Sequence, residues 1–161
     1  MESISVKVTK MIELDRDRLF DYFIPIELPI LLRGYGLLPA VVEVSEQTGA
    51  WDIPGHSRMV HLSDGGTIRE EVTSCDRPEL FSYKLSRFTG MFSFLVAGAT
   101  GEWRFKHVNS QLTEVSWEYS FDAKGTFTHL ILQPIIELLF YRYMQQIVED
   151  FSILAKKSLV E

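Results

Sequence analysis

The sequence predicts an α+β fold in which a curved antiparallel sheet of about seven strands wraps a long C-terminal helix. Three observations predict it. The final stretch, Thr126 to Leu159, carries apolar residues at helical spacing. Before it, from Ala40 to Phe121, the periodicity is two and turn residues recur between short runs. Ahead of both stand one alternating run and two short helical segments. A twisted sheet with one apolar face must bury that face, and the final helix is the one element long and apolar enough to cover it.

Taken in order, Ser3 to Met11 alternates, with Ile4, Val6 and Val8 on one side, and reads as a half-buried strand. Asp15 is placed to cap a short helix carrying Leu19, Phe20 and Phe23. Pro25 and Pro29 set off a second helical turn between Ile26 and Arg33, which Gly34 and Gly36 stop. A run around Val42 and Val44 follows, then the turn Trp51-Asp-Ile-Pro-Gly55, in which Trp51 reads as packing the turn. His56 to Leu62 and Thr67 to Cys75 form a hairpin across Ser63-Asp64-Gly65-Gly66. Leu80 to Phe88 comes next. The apolar Met91 to Ala97 then leads into Gly101 to Val108, and Asn109-Ser110 turns into Leu112 to Phe121. In the last helix, Met144, Ile147, Val148, Phe151, Leu154 and Ala155 make one face. Arg142, Gln145, Gln146, Glu149, Ser152, Lys156 and Lys157 make the other. Its first half is apolar nearly all round, and Pro134, which lacks an amide hydrogen, predicts a bend.

Length and composition exclude several function classes. With 161 residues the chain is most economically a single domain, 1–161. Its 22 acidic and 16 basic residues give a formal charge of -6, and the basic residues form no stripe, which argues against nucleic acid. The lone Cys75 rules out an internal disulfide and reads as a small strand residue. His56, His61, His107 and His129 show no ligand spacing, so no metal is expected. There is no phosphate-cradling loop, dinucleotide fingerprint or nucleophile elbow, and no cofactor is expected. No run reaches the roughly 18 apolar residues of a membrane span, and the N-terminus alternates rather than forming a signal-peptide core. The expectation is a soluble, cytoplasmic protein.

The element order, together with Trp51-x-x-Pro54-Gly55, Arg58, Leu62-Ser-Asp-Gly65, Glu70 and Gly101-x-Trp103-x-Phe105, resembles the START-like SRPBCC superfamily. The likeness is nearest to its stand-alone polyketide cyclase/dehydrase-type proteins. It implies a helix-grip fold with a cavity between sheet and helix for an apolar or amphipathic small molecule. It does not imply one activity, because that container serves carriers, receptors and cyclases alike. No cyclase catalytic set transfers onto these residues.

Alternation itself places polar residues inward. An Asp64-Gly65-Gly66 loop would pair Leu62 with Ile68 and Val60 with Glu70, leaving Arg58 diagonal to Glu70 on the concave face, whereas a two-residue loop would place His61 with Glu70. A buried carboxylate needs a partner, and arginine supplies one. Such a pair either anchors the hydroxyl, carbonyl or carboxylate of a ligand or is a structural ion pair. A one-residue bulge would turn both outward. Tyr83, Arg87, Trp103, His107, Trp117 and Tyr119 also fall on inward faces, with Arg87 and His107 near strand ends. The helix face around Phe140, Met144 and Ile147 completes the expected wall.

Two apolar surfaces are left over: Met91 to Val96, and Ile131, Ile135, Leu138 and Leu139 on the outer side of the helix. They serve as lid and mouth, as a homodimer contact on an otherwise monomeric chain, as a site of transient membrane contact, or as faces covered by the two short helices. The expected function is binding of a lipid, quinone or polyketide-like guest. The alternatives are a cyclase, aromatase or dehydratase using Glu70, Tyr83 or a histidine as acid–base, and a docking protein without turnover.

Overall fold

The computed structural model describes residues 3–160. Strand β1 (Ile4–Ile12) is followed by helices α1 (Arg16–Phe23) and α2 (Leu28–Leu31). Six strands follow in succession: β2 (Val41–Ser45), β3 (Ser57–Leu62), β4 (Thr67–Asp76), β5 (Leu80–Ser86), β6 (Val96–Asn109) and β7 (Leu112–Ala123). The chain ends in an unbroken helical stretch: α3 (Thr126–Pro134), a π-helical segment (Ile135–Phe140) and α4 (Tyr141–Val160). The strands form one antiparallel sheet in the order β1-β7-β6-β5-β4-β3-β2, in which the first strand pairs with β7 at the far end of the meander.

Local chemistry sets the boundaries. Asp15 accepts a hydrogen bond from the Arg18 amide at 3.2 Å and caps α1. Pro29 stands in the first turn of α2, where its missing N–H costs nothing. Pro134 marks the other exception. Beyond it the Ile135 amide donates to Leu132, a tightened turn, and the Tyr141 amide donates to Ile136, a widened one. The disturbance expected at Pro134 is therefore taken up in a six-residue π turn.

Helix α4 buries the stripe Met144, Ile147, Val148, Phe151 and Ala155, and Ser152 with it. The sequence reading had set Ser152 on the polar face. It lies four residues beyond Val148, on the same stripe, and its side chain is small enough for the core. Phe151 is the anchor. Its ring centroid lies 5.7 Å from Phe23 of α1 and 5.8 Å from Trp103 of β6, both edge-on, and 6.1 Å from Tyr22.

Along the interior strand β6 the inward residues run Ala99, Gly101, Trp103, Phe105, two small then two large. The large pair, with Phe20, Phe23 and Phe151, fills one end of the concave face. The small pair leaves the other end to be filled by its neighbours. Phe151→Ala should therefore destabilise the fold by ~3–5 kcal/mol, the cost of emptying a fully buried aromatic site. Chemical denaturation checks it, and a loss below about 1 kcal/mol would remove Phe151 from this role.

Candidate functional site

Beyond that aromatic block lies a cavity of about 180 Å³ between the sheet, the helical stretch and the α1–α2 connection. Its wall is largely apolar; the buried charges on it are the pair Arg58 and Glu70, with Asp64 and Thr89 at the exposed hairpin end. They stand directly opposite each other on β3 and β4. The hairpin explains this register. The turn closes over Ser63, Asp64 and Gly65, with the Leu62 amide donating to the Gly66 carbonyl at 2.8 Å. Gly65 takes the left-handed conformation at φ 88°. The expected loop lay one residue later, so the real register differs by two residues, which keeps every side chain on its predicted face. No bulge interrupts Ser57 to His61, and neither charge is turned outward.

Arg58 Nε donates to Glu70 Oε1 at 2.9 Å, and Nη2 lies 2.7 Å from the same oxygen. The guanidinium also lies over the Trp51 ring, 3.8 Å from its centroid. Trp51 thus belongs to the site as well as to its turn. The sequence reading missed this because the contact joins a loop to a strand that only the folded sheet brings together. Among the described residues, none donates to Glu70 Oε2. Burial raises the Glu70 pKa above the ordinary value, with Arg58 acting in the opposite direction. Next door, Glu71 faces outward to Arg69 and Lys84, and hydrogen bonding to Arg69 lowers its pKa. Adjacent carboxyls are shifted oppositely because alternation sends one into the cavity and the other to solvent.

A second polar group sits deeper. Trp117 Nε1 donates to the Tyr83 hydroxyl at 3.1 Å, which leaves the Tyr83 proton free to be given away. Burial, with the Glu70 charge second, raises the Tyr83 pKa, and burial raises that of Tyr119 as well. Both phenols stay neutral and act as donors, not bases. The Tyr83 ring crosses the sheet over Gly101, where a Cβ would collide with it.

Of the expected wall residues, Arg58, Glu70, Tyr83, Trp103, Trp117, Tyr119, Phe140 and Ile147 line the cavity. Met144 does not. The lining stripe of the helix is Ile136, Phe140, Tyr143 and Ile147, and Met144 lies one residue round from it, fully buried in the core. Arg87 and His107 are exposed at strand ends. Tyr143 was unforeseen. Its hydroxyl accepts from the Gly34 amide at 2.9 Å and donates to the Pro39 carbonyl at 3.2 Å, strapping the Gly34–Pro39 loop across the cavity.

The outer apolar set divides. Ile135 turns in to line the cavity and Leu139 is half-buried, while Leu138 is 61% exposed. Phe94 and Phe127 are each 75% exposed, so the short helices α1 and α2 do not cover this surface. Among the described residues, no three His, Cys, Asp or Glu side chains are grouped to hold a metal ion. No helix among them is long and apolar enough to cross a membrane.

This architecture recurs in solved structures. A truncated norcoclaurine synthase from Thalictrum flavum superposes with a TM-score of 0.73 over 100% of this chain and 98% of that one, at 13% identity. Major latex-like protein 151 of Panax ginseng gives 0.71 over 96% and 99%, at 11% identity. An aromatase/cyclase from Streptomyces sp. R1128 gives 0.66 over 96% and 94%, at 13% identity. The chain has the helix-grip fold of the START-like SRPBCC proteins. No protein-family model matches it, and neither does any curated protein. At these identities the likeness fixes the fold and leaves the chemistry to the residues of the cavity.

Two outcomes follow from the helix-grip cavity. Arg58→Met strands a buried carboxylate and should cost ~3–5 kcal/mol at pH 8, with Arg58→Met, Glu70→Leu recovering most of it. The raised Glu70 pKa fixes the sign with pH. Its protonated form is favoured by the fold, so its contribution is complete below the ordinary carboxylate range and lost as pH rises through the folded value. The Arg58→Met deficit should therefore shrink on acidification, and urea midpoints at pH 8 and pH 5 test this. Gly101→Ala should cost ~1–3 kcal/mol by displacing Tyr83 from Trp117. Retained near-ultraviolet circular dichroism and an unchanged melting temperature would refute it.

Proposed function

We propose that this protein binds an apolar or aromatic small molecule in the cavity between its sheet and its C-terminal helix. The observation that carries this reading is the cavity itself, about 180 Å³ with largely apolar walls and one buried ion pair. Space of that order, about that of a ~150 Å³ apolar cavity that takes up benzene, suits a small ring-containing guest. Its body would lie against Tyr83, Trp103, Trp117, Tyr119, Phe140 and Ile147, with its polar end toward Arg58 and Glu70. The exposed Phe94, Phe127 and Leu130 near the start of the helix would then border the route in.

A second reading, turnover of the guest, has one observation in its favour. Glu70 is a buried carboxyl of raised pKa within a cavity that also holds two phenol donors. Two of the structural neighbours are named as enzymes, a norcoclaurine synthase and an aromatase/cyclase. Catalysis here would use Glu70 as acid–base and Tyr83 as donor, and Glu70→Gln would abolish product formation while leaving binding in place.

Two experiments test the binding reading. Native mass spectrometry followed by solvent extraction should reveal a co-purifying apolar molecule. Val60→Phe should fill the cavity, leave the melting temperature equal or higher, and weaken a neutral probe such as N-phenyl-1-naphthylamine by about tenfold or more. An unaltered probe affinity in a folded Val60→Phe protein would place binding elsewhere.

A further inference from the structure

We infer that the cavity selects a neutral guest bearing a hydroxyl or N–H donor and rejects the corresponding carboxylate. This rests on the cavity-binding reading and deepens it. Arg58 is the one cationic side chain among the described residues lining the cavity. A carboxylate guest would need it, and it is already engaged. Its Nε and Nη2 face Glu70 Oε1 at 2.9 and 2.7 Å, and Trp51 covers its flat face at 3.8 Å. The acids at the wall are Glu70, which is 7% exposed, and Asp64, at the exposed hairpin tip. A second carboxylate would thus enter a low-dielectric space whose one cation is already charge-paired with Glu70 and whose rim carries the further acid Asp64. Buried charge without a partner is among the most costly arrangements in a protein.

The groups with spare capacity point the same way. Glu70 Oε2 receives no hydrogen bond from the described residues and is open to a donor. The Tyr83 oxygen already accepts from Trp117, so that hydroxyl has its own proton to give, with Tyr119 beside it. A hydroxyl supplies both functions in one atom, and an aromatic N–H supplies the first. A ketone or hydrocarbon leaves Oε2 without a partner. Fatty acids and other anionic amphiphiles are disfavoured by charge, and a phenol or small cyclic alcohol is favoured by hydrogen bonding as well as size.

Three matched ring probes distinguish these possibilities: naphthalene, 2-naphthol and 2-naphthoate, titrated at pH 7.5 by calorimetry or competition against N-phenyl-1-naphthylamine. The expected order is naphthol, then naphthalene, then naphthoate, with naphthol bound about tenfold or more above naphthoate. Glu70→Gln leaves Arg58 free to meet an anion, so naphthoate should gain about tenfold and the naphthol advantage over naphthoate should close. Naphthoate binding the wild-type protein as well as naphthol overturns the charge selection, whether or not the variant folds. Naphthalene matching naphthol overturns the donor requirement. Binding of naphthalene alone overturns the proposal and leaves the cavity reading standing. No binding of any of the three, with the neutral probe also unbound, overturns the cavity reading itself.

Discussion

The packing of Phe151 against Phe23 and Trp103 holds the long helix to the sheet at one end. Three aromatic side chains from three different elements meet there, and Phe105 and Phe20 extend the block with a ring separation of 5.2 Å. Everything at the other end depends on that wedge. With the helix fixed at the large end of β6, the small residues Ala99 and Gly101 cannot be closed over by moving the helix inward. The gap is filled in part by Tyr83 leaning across Gly101 and in part left as the cavity. A well-packed core at one end and open space at the other are thus two consequences of one distribution of side-chain volume along a single strand.

The ion pair carries the second constraint. Removing Arg58 and Glu70 from water is costly, and their mutual attraction offsets that cost only while both are present. Directly opposed positions on neighbouring strands keep the pair together without any help from loops. The Trp51 turn closes over the guanidinium, so the turn and the hairpin stabilise each other. What results is a polar spot whose cation is paired along one edge and capped by Trp51, and whose anion retains one oxygen outside that pair. That asymmetry gives a largely apolar cavity its chemical character.

Much of the cavity wall was legible in the sequence because a β-strand has period two. A register error of two residues moves a partner along the ladder and leaves each side chain on its face, so Arg58 and Glu70 were found despite a misplaced turn. The aromatic residues Tyr83, Trp103, Trp117 and Tyr119 followed from the same alternation. Helical positions were less secure. One residue there is a turn of about 100°, enough to carry Met144 out of the cavity wall, Tyr143 into it and Ser152 into the core. Contacts made by loops were not legible at all. Trp51 over Arg58 and the strap from Tyr143 to Gly34 and Pro39 depend on where separate segments arrive, and no local period encodes that.

By itself, the sequence determined the order of elements, the inward face of each strand and the presence of a charged pair on an apolar wall. These are consequences of local backbone geometry and of the cost of exposing apolar surface. Only the tertiary structure decided that the interior is not filled, that the Arg58 guanidinium is sandwiched between Glu70 and Trp51, and that Pro134 is absorbed by a π turn. The reason is physical. Whether side-chain volumes fill a space, and which atoms of a charged pair remain free, are properties of distances between elements remote in sequence. Those distances are fixed when the helix wedges against the sheet, and no periodicity along the chain expresses them.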